Sequence, residues 1–501
     1  MKTILFLIFF QLFTIDIYSQ LVNDFRVNEG TAVTSDLGGR IDTDEQGNYI
    51  IVWTDRRTGR PNVYAQRFDK NSNRLDNNFR VNELADTSSA PDIAVFRTGK
   101  LGVCWRGRTF SGAGIIFKIF DDKGNPISNE FLISDSTSGD FGEPFVGVNS
   151  RGEYIVTWEH RPNFQSNEIV YYQMIDSLGN KIGTNRIADD TTSRKTNPSI
   201  DVFSDNRFII MWQDQRPPAA PNFDDVYYQM FDESGEKIGV NEKINDDTVF
   251  MNQQLFPLGA SDSLNRYCIC FTYYDFNTAQ TEMVCQLYNS DGSKNGSNFA
   301  IAQTIDSENL NAIDKRPDGK IVAAFIRSTV NLGISYFQRL DTSGMEIGIP
   351  FKISNEFPSI SKFYTDIAVF GDNVISVWND SRYDFNDVFC NVRSFQNPDS
   401  TVGISQISSE VPGEYKLYQN YPNPFNPSTK IKFDISKRAE VKLTVYDITG
   451  REISVLVNEK LNAGSYEYSF NSTDLSSGVY IYKLSIPGVK KTLFNKMILI
   501  K

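Results

Sequence analysis

Apolar runs that each end in an aromatic recur along the chain: Ile50-Ile51-Val52-Trp53, Val103-Cys104-Trp105, Ile155-Val156-Thr157-Trp158 and Ile209-Ile210-Met211-Trp212. The series continues with Cys268-Ile269-Cys270-Phe271, Val322-Ala323-Ala324-Phe325 and Ile375-Ser376-Val377-Trp378. Successive aromatics lie 52, 53, 54, 59, 54 and 53 residues apart, so the chain is built from seven copies of one unit. Ahead of each run stands a short strand with a turn, as in Pro198-Ser199-Ile200-Asp201-Val202-Phe203 before Ser204-Asp205-Asn206. Behind it an alternating segment such as Asp225-Val226-Tyr227-Tyr228-Gln229-Met230-Phe231 runs into an Asp-x-x-Gly turn. These turns are placed at Asp122-Gly124, Asp176-Gly179, Asp232-Gly235 and Asp341-Gly344, where Asp bonds the local backbone and Gly accepts positive φ. A fourth strand follows, as in Phe79-Arg80-Val81-Asn82-Glu83.

No unit shows the 3.6-residue apolar period of a helix, which excludes helical solenoids. Four strands per unit of this length is the blade of a β-propeller. The fold class is therefore all-β, with a seven-bladed propeller over 20–396. The seventh copy ends at Val392-Arg393-Ser394-Phe395 without a fourth strand, and an orphan one, Phe25-Arg26-Val27-Asn28-Glu29, precedes the first copy. The N-terminal strand is expected to complete the last blade and hide two sheet edges.

The texture changes after a linker at 397–412. From 413 to 501, short alternating strands punctuated by Gly450, Gly464 and Gly478 predict a small immunoglobulin-like β-sandwich. The carriers of a closer likeness are Tyr421-Pro422-Asn423-Pro424-Phe425, the run from Val445 through Gly450 to Glu452, Ser477-Gly478-Val479-Tyr480, and Lys496 to Lys501. This stretch resembles the type A C-terminal sorting domain of type IX secretion substrates. The resemblance implies that type IX machinery is a partner. It also implies passage across the outer membrane of a Gram-negative bacterium, followed by release or surface attachment.

The N-terminus supports that destination. Lys2, the apolar stretch Ile4 to Phe13 and Ser19 before Gln20 read as a signal peptide over 1–19, too short to span a bilayer. No later window reaches membrane-spanning length, so no transmembrane segment is expected in the mature chain. A net charge of -12 excludes nucleic acid as an expected partner, because the protein repels phosphate backbones. The five cysteines, Cys104, Cys268, Cys270, Cys285 and Cys390, lie in apolar runs and read as small buried hydrophobes. A cross-strand bridge to Cys285 is the alternative.

Candidate chemistry is sparse. A Trp-x-Asp-x-Arg pattern recurs at Trp53, Asp55, Arg57; Trp212, Asp214, Arg216; and Trp378, Asp380, Arg382. Recurrence favours a structural cross-link over an arginine ring for acidic sugars. His160, the sole histidine, occupies an Asp slot and reads as a turn stabiliser. Multi-histidine zinc sites are excluded, and no metal or cofactor is expected. Asp42-Thr43-Asp44-Glu45-Gln46-Gly47 reads as a plain turn rather than a calcium loop. The long connections from second to third strand form the expected recognition face, since function concentrates on irregular loops. The candidate binding residues are Arg161, Phe164, Arg216, Phe223, Tyr274, Arg382 and Tyr383. The sorting-motif residues are Tyr421, Pro422, Asn423, Pro424, Phe425, Gly450, Gly478 and Lys501. The expectation is a non-catalytic protein recognising glycan or protein. The alternative is a glycoside hydrolase or lyase using acidic residues in the channel, and a structural surface-layer role is third.

Overall fold

The computed structural model describes residues 22–29, 37–83, 87–109, 112–216, 223–246, 252–302, 306–328, 333–348, 350–354, 362–382, 387–395, 404–408, 412–426, 428–461, 463–471, 476–486 and 491–500. The expected signal peptide, Tyr383 and Lys501 lie outside the described residues.

Within 22–395 the strands form seven antiparallel sheets in chain order. The first blade comprises Leu37–Thr43, Tyr49–Asp55, Asn62–Phe68 and Arg74–Arg80, paired as consecutive neighbours. The fourth repeats it with Lys195–Val202, Phe208–Asp214, Asp225–Phe231 and Lys237–Lys243. Each sheet is open, and the ring arises because neighbouring sheets pack face to face. Ile50, Val52 and Val63 of the first blade meet Val95, Leu101 and Trp105 of the second. Ile41, Ile51 and Trp53 meet Val377, Val388 and Cys390 of the seventh, which closes the circle. A second strand is covered on both faces, which is why Tyr49–Asp55, Phe208–Asp214 and Asn373–Asp380 are buried at every position. That double burial is the physical cause of their continuous apolar runs.

Closure by the N-terminal strand is observed. Val22–Arg26 pairs antiparallel with Asp387–Ser394, bringing Phe25 opposite Cys390 and Arg26 opposite Phe389. Asp24 anchors it from a site 1% exposed, accepting from Asn391 Nδ2 at 2.9 Å and facing Arg382 at 3.4 Å and Arg393 at 3.8 Å. The Gly turns form as expected, with one shift of position. In the second blade Asp121 rather than Asp122 accepts from the amides of Lys123 and Asn125, at 2.9 and 2.7 Å.

The cysteine reading needs correction. Cys270 and Cys285 lie directly opposite on adjacent strands and form a disulfide, 2.01 Å between sulfurs. Cys104, Cys268 and Cys390 are free and buried, as small hydrophobes would be.

The C-terminal region is a sandwich of two four-stranded sheets. One runs Ile404–Ser408, Gly464–Asn471, Ser428–Ile435, Lys416–Leu417; the other runs Glu452–Leu461, Ala439–Asp447, Gly478–Ile486, Lys491–Leu499. The first strand falls within the stretch expected as linker. Ile431, Phe433, Leu443, Val445, Tyr482 and Leu484 build the core between them. The sorting motif clamps the last strand. Phe425, buried, exchanges backbone bonds with Ile498 and Ile500 at 2.9 and 3.0 Å, and Asn423 Oδ1 accepts from the Ile498 amide at 2.9 Å. Tyr421-Pro422 and Asn423-Pro424 are cis. Gly450, at φ +83°, closes the turn that Asp447 organises, and Gly478 opens the penultimate strand. Among the described residues no helix is long and apolar enough to cross a membrane.

Candidate functional site

Seven innermost strands converge on the propeller axis, and their starting ends share an irregularity. Register breaks between Leu37 and Arg40, Ser89 and Asp92, Thr196 and Ser199, Leu255 and Leu258, Leu310 and Ala312, and Phe363 and Asp366. Five of these bulges carry one residue at positive φ: Gly38 at 67°, Ala90 at 50°, Asn197 at 50°, Phe256 at 52° and Tyr364 at 51°. A bulge re-aims the side chain it displaces. Holding Phe or Tyr in the left-handed region costs on the order of 1–3 kcal/mol, so the rest of the blade must impose it. In the third blade the innermost strand breaks outright between Asp140–Phe141 and Phe145–Val148, leaving Glu143 at the equivalent position.

These displaced residues surround a cavity of about 640 Å³ to which all seven blades contribute. Phe256 and Tyr364 stand on its rim, 46% and 53% exposed. Asn197, Asn309 and Asn311 add amides, and Arg40, Arg106, Glu143 and Glu159 add charge. The Arg40 guanidinium lies 5.1 Å from the Phe145 ring centre and 4.0 Å from Asp92. Burial pulls its pKa down, but Asp366, Asp92 and Glu143 outweigh that and hold it above the usual value. Glu159 packs on Gly142, where an added Cβ would come within 2.3 Å of its Cγ, and accepts from the Asn197 amide at 2.6 Å. Burial pushes the Glu159 carboxyl up, against that hydrogen bond.

Deeper in the channel, aspartates staple blade to blade. The inner edge of each innermost strand has no neighbour strand, so its amides need another acceptor. Asp42 accepts from the Val95 amide at 2.6 Å, Asp92 from Val146 at 2.8 Å, Asp314 from Val369 at 2.6 Å and Asp366 from Ile41 at 3.1 Å. Burial raises Asp42, Asp92 and Asp314 to about 7 and Asp201 to about 6.

The Trp-x-Asp-x-Arg pattern is a cross-link within each of the three blades that carry it, the first, fourth and seventh. Asp214 accepts from Trp212 Nε1 at 3.0 Å and from Arg216 Nε at 2.8 Å, while Arg216 stacks 4.1 Å over Tyr227. Arg382 is held likewise by Asp380, 3.9 Å over Phe389 and 1% exposed. Of the other loop candidates, Arg161 is paired with Asp140 and Glu168, with Phe164 beside it 88% exposed. Phe223 and Tyr274 both contact Phe276, at 4.9 and 4.6 Å between ring centres. None of these loop residues lines the axial cavity. His160 is structural, stacked 4.3 Å from Phe141 with Nε2 at 2.8 Å from the Ser138 carbonyl. Asp44 caps a plain turn, accepting from the amides of Gln46 and Asn48. The sulfurs of Cys268, Cys270 and Cys285 lie within 4.8 Å of one another, but two are joined, leaving one thiol for any metal.

The cavity residues had a signal in the sequence. In four blades the displaced residue is followed by proline: Ala90-Pro91, Glu143-Pro144, Asn197-Pro198 and Phe256-Pro257. Proline, which lacks an amide hydrogen, is tolerated in sheets at such bulges.

Comparison with solved structures shows resemblance in fold at low sequence identity. A protein of unknown function from Dyadobacter fermentans is 10% identical, with 74% of this chain and 98% of that one covered and a TM-score of 0.45. A polysaccharide lyase, an ulvan lyase bound to a GlcA–Rha3S unit, is 10% identical over 75% and 98%, with a TM-score of 0.49. The α-L-arabinofuranosidase of Fusarium graminearum in complex with arabinobiose is 12% identical over 62% and 94%, with a TM-score of 0.46. No curated protein matches in sequence. Residues 419–501 match the secretion system C-terminal sorting domain, and this part of the chain is a type IX sorting domain that implies export through that system.

Proposed function

We propose that the chain is an exported recognition protein, with residues 1–19 as signal peptide, 20–396 as propeller and 413–501 as sorting domain, that holds a glycan non-catalytically at the channel mouth. It acts after release or at the outer-membrane surface. The observation that carries the reading is the ring of displaced residues. A sugar offers apolar C–H faces and a rim of hydroxyls. Phe256 and Tyr364 supply exposed rings for the faces, while Asn197, Asn309, Glu143 and Arg40 supply donors and acceptors for the hydroxyls. Strained backbone that repeats around one opening, with a different side chain in nearly every blade, supports a binding surface on a fixed frame. The second reading is a polysaccharide-degrading enzyme. It is favoured by one observation, the raised Glu159 carboxyl beside Glu143 on one wall, an arrangement that suits an acid with a second carboxylate.

The test uses the purified full chain on a panel of bacterial, algal and plant polysaccharides, scoring retention and new reducing ends together. Retention without products supports recognition. Products that disappear in E159Q replace it with the enzyme reading.

A further inference from the structure

The channel mouth continues outward. A second cavity of about 410 Å³, between the second and third blades, shares Arg106 and Glu159 with the axial one and extends to Arg108, Asp140, Arg161 and Glu168. The second blade is also one of the four that lack the repeating cross-link. Its version reads Trp105-Arg106-Gly107-Arg108, with glycine where the first, fourth and seventh blades place the aspartate. Trp105 Nε1 is consequently a buried donor with no partner, whereas Trp53, Trp212 and Trp378 each donate to their aspartate. Arg108 follows Trp105 by three residues, one short of the place that Arg57, Arg216 and Arg382 hold after their tryptophans, and no aspartate of the pattern is there to hold it. Among the described residues neither Arg106 nor Arg108 is ion-paired, and both are exposed in the groove; Arg106 makes one bond, to the Phe141 carbonyl at 3.2 Å. The groove's acids are mostly spoken for. Asp140 pairs with Arg161, and Glu168 with Arg161 and Arg194.

We propose that the groove from the channel mouth between the second and third blades holds an anionic polysaccharide, with Arg106 and Arg108 as the anchors for its carboxylate or sulfate groups. Guanidinium binds either group through paired, charge-assisted hydrogen bonds. Two joined cavities fit several units of a linear chain, the residue at the axis stacking on Phe256 or Tyr364 and the next ones running outward. A net charge of -12 keeps polyanions from adhering elsewhere on the protein, so an anionic ligand requires this local exception.

The inference rests on the recognition reading, and the experiment separates the two. The full chain is titrated with polygalacturonate, with the same polymer after carboxyl reduction, with a sulfated galactan and with neutral arabinan. Wild type is compared with the R106Q/R108Q variant and with R97Q, an exposed arginine on the opposite rim; circular dichroism checks folding. One anionic polymer is expected to bind, at least about tenfold more weakly in R106Q/R108Q and unchanged in R97Q, a difference of about 1.4 kcal/mol. Whether polygalacturonate or the galactan binds tells carboxylate from sulfate. Equal binding of the reduced polymer, or no effect of R106Q/R108Q, overturns the anionic assignment and leaves recognition standing. Binding by none of the polymers overturns both.

Discussion

Replacing Asp214 with alanine tests the idea that the recurring Trp-x-Asp-x-Arg pattern is a structural cross-link. Asp214 is fully buried and accepts from Trp212 Nε1 at 3.0 Å, the Arg216 amide at 2.9 Å and Arg216 Nε at 2.8 Å. Its removal leaves a buried indole N–H without a partner, which costs about 1–3 kcal/mol. It also strips a buried carboxylate from a guanidinium only 14% exposed, and breaking such a pair costs about 3–5 kcal/mol. Asp190, 3.5 Å away at the surface, and the Tyr227 ring retain part of the guanidinium's stabilisation. The two costs therefore overlap, and a net loss of about 3–4 kcal/mol is expected. Denaturant unfolding followed by tryptophan fluorescence reads it cleanly, because all five tryptophans belong to the propeller. A midpoint shift worth less than about 1 kcal/mol would refute the cross-link and return Arg216 to the pool of free binding residues.

Three further outcomes follow from the same physics. Asp42, Asp92 and Asp314 sit at about 7 when folded against about 3.8 unfolded, so the folded state binds more protons between those values and stability falls as pH rises from about 4 to about 7. Melting temperatures at about pH 5 and about pH 7.5 check the sign, and a rise toward neutral pH would contradict the buried staples. Asp24→Ala unpins the closing strand by removing the carboxylate that Asn391 donates to and that faces Arg382 and Arg393; hydrogen exchange at Val22–Arg26 and Asp387–Ser394 should speed up by more than tenfold while the fourth blade stays unchanged. Cys270→Ser with Cys285→Ser opens a loop of sequence separation 15, for which about 2–3 kcal/mol of stability is expected to be lost in calorimetry.

The architecture was legible because it repeats. A period near 53 residues, an apolar run per unit and an orphan strand at the N-terminus point to one closed ring, and the pairing of Val22–Arg26 with Asp387–Ser394 bears this out. The cysteine bridge was less so, since Cys270 and Cys285 become neighbours only through the register of two strands. The axial cavity was hidden for a related reason. Its residues are far apart in sequence and of mixed type, and their one shared mark is the proline that follows the displaced residue in four blades. Attention to loops pointed to the end of the propeller on which the axial cavity opens, but to Phe164 and Arg216 rather than to Phe256 and Tyr364. Arg106 and Arg108 stand in one of the four blades without the pattern, and only the unpartnered Trp105 indole shows what its loss does there.

The central claim, recognition at the axis, is tested most directly by one binding comparison on whichever polysaccharide the full chain retains. F256A/Y364A removes both exposed rings of the channel mouth, and F164A removes the most exposed ring among the described residues of the long loops. Binding is expected to weaken at least about tenfold in F256A/Y364A and to stay within about twofold of wild type in F164A. The reverse order would move the site from the channel mouth to the loops.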